Sequence, residues 1–296
     1  MNIPIKQHTI LITGSAGYIG SRLRIRLDEL GVKYIGVDRL DRKSKNSLCY
    51  DLSDKDQIIG TIRKYNPTYI VHCGTHSEAA YKNNFLKSFK EDALSLVNIL
   101  EAINSTTTIR LLFFSSSYVY GGINRNLTVN EDTNVQPENN FGIAKYFFEK
   151  LITRTHANSL IFRLSNVFGP GQQRNPTAIN SWINERNIGS TITIWGLGKR
   201  NIQYIYIDDV VNYICQGNAI NPSIYNIGGK EYVSMAEAAE SVSGINSSPI
   251  KYFRDKTEGE TLPFMDTRKL QNSLLSHEPL SFKSGIASYF SSLKDS

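Results

Sequence analysis

Near its N-terminus the chain reads Thr13-Gly14-Ser15-Ala16-Gly17-Tyr18-Ile19-Gly20, directly after the apolar run Thr9-Ile10-Leu11-Ile12. An amphipathic segment follows, so this order predicts a strand, a glycine-rich turn and a helix. In such a turn the first glycine permits a tight bend, the second lets the backbone approach a pyrophosphate, and the third lets the helix pack on the strand. The amides and positive dipole end of the helix then face the anion. The predicted dinucleotide site contains Gly14, Gly17, Tyr18, Ile19 and Gly20.

Acidic residues end the next two predicted strands. Asp38 closes the second strand, near the offset expected for a carboxylate that binds the adenosine ribose hydroxyls. Because a carboxylate there repels a 2′-phosphate, we expect NAD as the cofactor, with NADP less favoured. Arg39 weakens that preference, since a guanidinium can bind a phosphate. Asp51, followed by Leu52, closes the third strand and is placed to reach the adenine amino group.

Nearly continuous apolar runs predict three further buried strands, at 69–74, 109–114 and 160–164. Such runs are typical of parallel sheets that are covered on both faces. Helical periodicity lies between them at 89–103 and 141–156, and this alternation predicts a doubly wound parallel sheet.

Ligands of doubly wound sheets lie at the carboxyl ends of the strands. At one such end, Gly74 is small enough to let a dinucleotide lie close, whereas His72 is expected to be a structural strand residue.

Beyond residue 167 the periodicity changes, and shorter strands at 191–195, 203–207 and 224–227 alternate with helices. We therefore expect a Rossmann-type α/β fold with two parts. A dinucleotide-binding domain would span residues 1–167. A smaller C-terminal α/β substrate-binding lobe would span 168–296 and share strands intermittently with the first.

Composition excludes several classes of protein. The 33 Lys and Arg against 27 Asp and Glu give a net charge of +6, but the basic residues are scattered apart from a short cluster at Arg39–Lys45. We expect that cluster to be a solvated loop, and we expect no nucleic-acid partner. No run reaches the roughly 18 apolar residues of a membrane span, and we expect neither a membrane partner nor a signal peptide.

The three cysteines, Cys49, Cys73 and Cys215, have no metal-ligand spacing. They predict buried thiols in a reducing, cytoplasmic compartment and no metal site.

Several segments occur together in the order found in the extended short-chain dehydrogenase/reductase superfamily. The chain resembles its NAD-dependent epimerase/dehydratase branch, which acts on nucleotide-activated sugars, from about Thr9 to the C-terminus. The resemblance rests on the glycine loop, Asp38, Asp51-Leu52, SSSYVYG at 115–121, RLSNVFGPG at 163–171 and GKRNIQYIYIDDV at 198–210. It implies NAD, a nucleotide-diphosphate sugar as substrate, and a homodimer formed through the helices at 89–103 and 141–156.

The same resemblance assigns the catalytic groups. Ser116 matches the hydroxyl that holds the reacting sugar oxygen, with Ser117 a near alternative, and Lys145 matches the lysine that binds the nicotinamide ribose. Family members carry Tyr-x-x-x-Lys, in which the tyrosine moves the proton of the sugar alcohol. Here that tyrosine is replaced by Phe141. Phenylalanine cannot exchange a proton, so we expect activity reduced by about 10²–10⁴-fold.

Three interpretations of Phe141 stay open. It is an engineered tyrosine-to-phenylalanine change made to trap a substrate complex, or the protein uses another proton carrier, for which Tyr118 is the candidate. In the third interpretation the chain is a catalytically silent protein that binds NAD or a nucleotide sugar.

The residues after Ser116 separate branches of the family. Dehydratases that eliminate water across C4–C6 usually carry Asp-Glu there, but this chain has Ser117 and Tyr118, which disfavours a 4,6-dehydratase. Tyr118 also occupies the position of a cysteine found in some 3,5-epimerase/reductases. What remains is hydride transfer at one sugar carbon, with C4 favoured, as a nucleotide-sugar epimerase or 4-keto reductase.

The expected substrate residues are Ser116, Asn166, Arg200 and Arg254. Asn166 resembles the family asparagine that hydrogen-bonds the sugar diphosphate, and Arg200 resembles the arginine that clamps it, since a guanidinium binds two oxygens at once. The family's late Arg-x-Gly-Asp is replaced by residues 257–260, TEGE, so Arg254 is expected to substitute for the missing arginine. Another departure is Asp92, where the family commonly has asparagine.

Overall fold

The chain folds as alternating strands and helices, which a computed structural model describes over residues 4–40, 46–104, 106–171, 176–183, 189–274 and 278–294. Residues 41–45 of the predicted basic loop lie outside these ranges. The strands are β1 (Ile10–Thr13), β2 (Tyr34–Asp38), β3 (Ser47–Cys49), β4 (Tyr69–His72), β5 (Arg110–Ser116), β6 (Thr128–Val129), β7 (Ser159–Leu164), β8 (Asn166–Phe168), β9 (Ile192–Trp195), β10 (Asn201–Tyr206), β11 (Ser223–Ile227), β12 (Tyr232–Ser234), β13 (Ile250–Phe253) and β14 (Phe264–Met265). The α-helices are α1 (Tyr18–Leu30), α2 (Lys55–Tyr65), α3 (Glu78–Asn83), α4 (Phe85–Ile103), α5 (Asn140–Thr155), α6 (Ala178–Trp182), α7 (Ile207–Gln216), α8 (Met235–Asn246), α9 (Arg268–Ser273) and α10 (Phe282–Lys294).

Seven of the strands form one parallel sheet in the order β11-β7-β5-β4-β1-β2-β3. Every residue of β1, β4 and β7 is buried, because helices cover both faces. Along β1, Ile10 and Ile12 enter one core and Leu11 enters the other. The predicted doubly wound Rossmann-type fold is confirmed.

Two boundaries differ from the sequence prediction. The third strand ends at Cys49, before Asp51, and helix α2 is capped by Asp54, whose Oδ1 accepts the Gln57 amide at 3.1 Å. The strand expected at 224–227 is β11, which pairs with β7 at the edge of the central sheet. The region after residue 167 therefore forms β9 and β10 of the second lobe, returns to the central sheet as β11, and then forms the rest of the lobe. The division at 167/168 stays a proposal.

The second lobe contains small sheets and the helices α6, α8 and α10. Strands β12, β10 and β8 form one sheet, and β13 pairs with β9. A separate core joins them and includes Phe168, Ile194, Tyr204, Val242 and Ile286. Strand β8 follows β7 after one residue, so the chain leaves the carboxyl edge of the central sheet and enters the lobe at Asn166.

The thiols are not all buried. Cys215 is buried and Cys73 partly buried, but Cys49 is exposed, so the prediction of a buried thiol is wrong there. The reason is that Cys49 ends β3, the edge strand of the sheet. Within the described ranges, no helix has the length and apolarity to cross a bilayer.

Candidate active site

The glycine loop forms a cradle that side chains would fill. Gly14 has φ +66°, and a Cβ there would lie 2.6 Å from the Gly74 backbone nitrogen. A Cβ at Gly20 would overlap the Gly14 carbonyl oxygen. Gly17 is the N-cap of α1 and offers no side-chain acceptor to the first turn of the helix. The loop therefore fits a dinucleotide, whose pyrophosphate can accept hydrogen bonds where a capping side chain otherwise would.

The carboxylate of Asp38 is held beside this loop. Its Oδ2 accepts the Ala16 amide at 2.9 Å and its Oδ1 accepts the Leu40 amide at 3.0 Å. These bonds fix the carboxylate at the end of β2, where an adenosine ribose would lie. The structure therefore places Asp38 next to the glycine loop, as predicted.

Asp51 lies at the same edge with a basic neighbour. Its Oδ1 accepts the Ser53 amide at 2.9 Å, and its Oδ2 is 3.6 Å from Arg39 Nη1. The same guanidinium nitrogen is 3.6 Å from Glu91 Oε2. Two carboxylates therefore compete with any 2′-phosphate for Arg39. The side chain of Leu52 fills the space in front of Gly74, where a Cβ would lie 2.7 Å from Leu52 Cδ1.

Tyr18 links the glycine loop to the second lobe. Its hydroxyl donates to the Gly169 carbonyl at 3.0 Å and accepts from Asn180 Nδ2 at 3.3 Å. Arg22, one turn later in α1, makes a two-point ion pair with Asp208 at 2.5 and 2.8 Å. Gly169 belongs to the RLSNVFGPG segment, but neither partner of Tyr18 could be identified from its spacing. The ion pair also occupies the carboxylate of Asp208.

Lys145 projects from α5 to the carboxyl edge of the sheet. Its Nζ donates to the Phe114 carbonyl at 2.9 Å and to Thr75 Oγ1 at 3.1 Å, and the residue is 2% exposed. Burial lowers the pKa of Lys145 to about 8. The ammonium is thus held between β4 and β5, where it could donate to the ribose of a bound nicotinamide.

Ser116 ends strand β5. Its Oγ accepts the Tyr118 amide at 3.3 Å, so the hydroxyl proton is directed elsewhere. Ser116 is buried, at 8% exposure. Ser117 follows on a short 3-10 turn, Ser117–Tyr120, and lines a cavity together with Asn166 and Arg200.

Phe141 lies in the first turn of α5. Asn139 caps this helix by accepting the Gly142 amide at 2.7 Å. The Phe141 ring contacts Tyr81 and Tyr118 edge-on, with ring centroids 5.5 and 6.0 Å apart. Lys145 lies one turn further along, as the Phe-x-x-x-Lys spacing predicts. At the position where family members carry the tyrosine, four residues before the lysine, α5 therefore has no group that can exchange a proton.

The buried carboxylate of Asp92 lies near this site, and the sequence alone did not assign it a role there. Asp92 is 2% exposed, and its carboxylate accepts from the His76 amide at 3.0 Å, from His76 Nδ1 at 2.6 Å and from the Tyr81 hydroxyl at 2.8 Å. The hydrogen bond to Asp92 raises the pKa of His76. The only sign of this cluster in the sequence was that Asp92 replaces the family asparagine.

His72 lies in the sheet, at the end of β4. It shares a hydrogen bond with Thr13 Oγ1 at 2.6 Å, and burial lowers the pKa of His72 to about 4.

Asn166 and Arg200 meet in one cleft. Arg200 Nε donates to the Glu260 carbonyl at 2.6 Å, and both Arg200 and Asn166 line the same cavity. A wider cleft of about 800 Å³ adjoins it and is lined by Arg200, Lys199 and Arg125. Three cations along one cleft suit a ligand with several negative charges.

Residues 257–260, TEGE, stand where the family has Arg-x-Gly-Asp, and Glu258 in this segment binds backbone amides. The Glu258 carboxylate accepts the amides of Leu197, Lys199 and Arg200 at 2.9, 3.1 and 2.6 Å. It anchors the turn that carries Arg200. Arg254 lies on the exposed turn after β13 and does not line either cavity around Arg200.

Among the described residues, no group of three or more His, Cys, Asp or Glu side chains is placed to hold a metal ion.

The fold and this edge define a dinucleotide-binding, doubly wound α/β protein. The chain belongs to the NAD dependent epimerase/dehydratase family, whose model matches residues 10–228. The predicted family is confirmed, and with it NAD as the cofactor.

Curated relatives and solved structures agree with this assignment. The chain is 27% identical over 274 residues to dTDP-D-glucose 4,6-dehydratase of Dictyostelium discoideum, covering 80% of this chain and 62% of that protein's length. It is 27% identical over 318 residues to ADP-L-glycero-D-manno-heptose-6-epimerase of Brachyspira hyodysenteriae, covering 97% and 98%. Its fold is similar to that of Thermus thermophilus UDP-glucose 4-epimerase in complex with NAD, with a TM-score of 0.85 and 21% identity over 97% and 99% of the two chains.

Proposed function

We propose that the chain transfers hydride between NAD and one carbon of a nucleotide-diphosphate sugar, with C4 the favoured carbon. The observation that carries the proposal is the position of Lys145. Its buried ammonium lies against Thr75 and the Phe114 carbonyl, one residue from Ser115 and two from Ser116 along β5. Among the described residues no carboxylate forms an ion pair with Lys145, which makes its burial costly, and a cofactor ribose would give the ammonium a hydrogen-bond acceptor.

The cofactor half of the site would use the loop and the strand ends. Bound NAD would supply the hydride acceptor, and its reduced form the hydride donor. Asp38 would hold the adenosine ribose and Asp51 the adenine amino group. Lys145 would hold the nicotinamide ribose, and the small Gly74 would leave space for the dinucleotide.

The substrate half would use the adjoining cleft. Ser116 would hold the reacting sugar oxygen, and Asn166 and Arg200 would bind the diphosphate. Arg125 and Lys199 extend the basic lining of the cleft beyond Arg200. The three relatives named above carry dTDP, ADP and UDP in their names, so they favour no single nucleotide base for this chain. Arg254 stays a prediction.

Phe141 is expected to slow the reaction strongly, by about 10²–10⁴-fold relative to a tyrosine at that position. The lack of carboxylates at 117 and 118 supports an epimerase or 4-keto reductase over a 4,6-dehydratase. An engineered change, a substitute proton carrier and a silent binding protein remain the three explanations of Phe141.

The test is a screen of UDP-, GDP-, CDP- and dTDP-linked hexoses and 4-keto hexoses with NAD or NADH, on the native chain and on Phe141→Tyr. Turnover of at least one sugar by Phe141→Tyr supports the proposal. If Phe141→Tyr binds NAD and converts no member of the panel, the proposal is wrong.

The absence of a hydroxyl at position 141 also favours a second candidate, a binding protein without turnover. It predicts NAD binding with no affinity for any nucleotide sugar. Because a ligand that binds only the folded state raises Tm, a thermal-shift screen of NAD and the sugar panel separates the two candidates.

We also propose that the chain forms a homodimer through α4 and α5. Large apolar side chains are exposed on both helices, at spacings of four and eight residues: Leu86, Leu94, Ile143 and Phe147. Leu86 is 76% exposed and Phe147 50% exposed, which is unfavourable unless another surface covers them.

The three free thiols support a location in a reducing compartment such as the cytoplasm.

A further inference from the structure

Two tyrosines contact the Phe141 ring, and their hydroxyls have different neighbours. Tyr81 is fully buried, and its hydroxyl donates to Asp92 Oδ2 at 2.8 Å, so its proton is committed. Tyr118 is partly exposed, and its hydroxyl lies beside the guanidinium of Arg200, which lines the cleft. Both rings meet Phe141 at similar distances, 5.5 and 6.0 Å between centroids.

Tyr118 is also joined to Ser116 through the backbone. The Tyr118 amide donates to Ser116 Oγ at 3.3 Å, so both hydroxyls belong to the same turn at the end of β5. The next tyrosine, Tyr120, is excluded because it is buried and its hydroxyl is bound to Arg163 and Asn226 at 2.6 and 2.9 Å. Of the two tyrosines in this turn, Tyr118 is thus the one whose hydroxyl lies beside Arg200, a residue that lines the cleft.

We infer that Tyr118 carries the proton that Phe141 cannot carry, an inference that rests on the proposed function. In the direction of reduction, the carbonyl carbon of a keto sugar gains the hydride that NADH supplies, forming a C–H bond as the C=O π bond breaks. The oxygen takes the proton of the Tyr118 hydroxyl while Ser116 hydrogen-bonds to it, and NADH is oxidised to NAD. Tyr118 is left as a phenolate beside Arg200 and recovers its proton from water. In the direction of oxidation each transfer is reversed.

The charges around Tyr118 set the pH dependence of this step. Burial raises the pKa of Tyr118, Arg200 opposes that rise, and Glu78 of α3 and Glu260 add to it. The net effect is an increase above the ordinary value of 10. Tyr118 is therefore protonated at neutral pH and ready to donate, so reduction is expected to be flat with pH around neutrality and to fall in alkaline solution.

The experiment is a double-mutant cycle on the full chain: native, Tyr118→Phe, Phe141→Tyr and the double variant. The substrate is a sugar that the Phe141→Tyr screen has identified, and single-turnover rates are measured. Tyr118→Phe is expected to lower the native rate at least about 100-fold, but to lower the Phe141→Tyr rate less than about 5-fold, because the tyrosine introduced by Phe141→Tyr then carries the proton. Tyr81→Phe is the matched control, since it removes a hydroxyl from the other ring on Phe141, and its rate is expected to stay near native.

Two further readouts do not depend on turnover. NAD affinity, measured by calorimetry, is expected to be the same in Tyr118→Phe and the native chain. The ultraviolet absorbance of tyrosinate, titrated with pH, is expected to lose one transition in Tyr118→Phe, and that transition is expected to move to higher pH in Arg200→Met.

An equal rate loss from Tyr118→Phe in both backgrounds would assign Tyr118 a structural role and overturn the inference. So would a Tyr118→Phe rate within threefold of native. A native chain without turnover beside an active Phe141→Tyr overturns the inference and leaves the proposed function standing. No turnover in any of the four proteins overturns both.

Discussion

The ammonium of Lys145 lies 5.4 Å from the centre of the Phe141 ring, one helical turn away on α5. A cation over an aromatic face is attracted by the ring. The lysine therefore has a favourable neighbour, but that neighbour has no proton to exchange. Helix α5 therefore has the lysine that would bind the cofactor but lacks the tyrosine hydroxyl that would transfer the proton.

NAD affinity is expected to decrease as the pH rises through about 8. Burial lowers the pKa of Lys145 to about 8, so the ammonium loses its proton in that range and one of its donors to the ribose is lost. Calorimetry at pH 7 and pH 9.5 is the measurement. Lys145→Met is expected to bind more weakly and to show no such decrease. Lys150→Met, an exposed lysine on the same helix, serves as the control. An unchanged pH dependence in Lys145→Met would refute this role.

The free energy of unfolding is expected to contain a contribution from His76 that disappears in alkaline solution. The Asp92 hydrogen bond raises the pKa of His76 above 6.5, so the folded state holds a proton that the unfolded state releases. That contribution is complete below pH 6.5 and is lost as the pH rises through the raised value. Urea unfolding from pH 5.5 to 9 should show it in the native chain and not in His76→Gln.

His8 provides a control, because its pKa is shifted in the opposite direction to that of His76. Burial lowers the pKa of His8, so protonation there opposes folding at low pH. His8→Gln should therefore stabilise the chain slightly as the pH falls below 6.5. A His76→Gln variant whose pH profile matches that of the native chain contradicts the proposed pairing.

Removing one partner of the buried ion pair between Glu149 and Arg163 is expected to destabilise the fold strongly. The two side chains are 1% and 4% exposed and meet at 2.7 and 2.9 Å, and Ser115 Oγ donates to the same carboxylate at 2.5 Å. Glu149→Gln is expected to cost about 3–5 kcal/mol because it leaves the Arg163 charge buried and unpaired. The double variant Glu149→Leu/Arg163→Met is expected to cost less than Glu149→Gln, as measured by urea unfolding. A larger cost for the double variant would mean that the pair itself stabilises the fold.

Phe147→Glu is expected to convert a homodimer into a monomer. The Phe147 ring is half exposed and contacts Phe89 of α4 at 5.4 Å between centroids, so a charge there would lie in the middle of the proposed interface. Analytical ultracentrifugation measures the change. The exposed Leu280 lies far along the chain from both helices, and Leu280→Glu is the matched control. A native chain that sediments as a monomer at all concentrations would rule out the dimer.

The parts of this fold that follow short-range rules could be predicted from the sequence. The glycine spacing and the apolar runs indicated the parallel sheet and the cradle, and the four-residue spacing placed Phe141 and Lys145 on one helix face. These features depend on backbone geometry and periodicity, which adjacent residues determine.

Contacts between distant segments could not be predicted in this way. Glu258 binds an amide of Arg200 across 58 residues, and Tyr18 binds Gly169 across 151. Such pairs exist because the second lobe packs against the carboxyl edge of the sheet, and no local pattern encodes them. The exposure of Cys49 was missed for the same reason, since an apolar run does not show which strand lies at the edge of a sheet.

Label transfer tests the central proposal most directly. A nucleotide sugar carrying deuterium at C4 is incubated with the Phe141→Tyr variant and NAD, and the reaction is quenched before the first turnover is complete, so that mass spectrometry detects the cofactor while it is reduced. Hydride transfer at C4 places the deuterium on the nicotinamide of the reduced cofactor for at least one sugar of the panel, and the native chain does the same more slowly. A Phe141→Tyr variant that binds both ligands and leaves the label on every sugar would contradict the proposal.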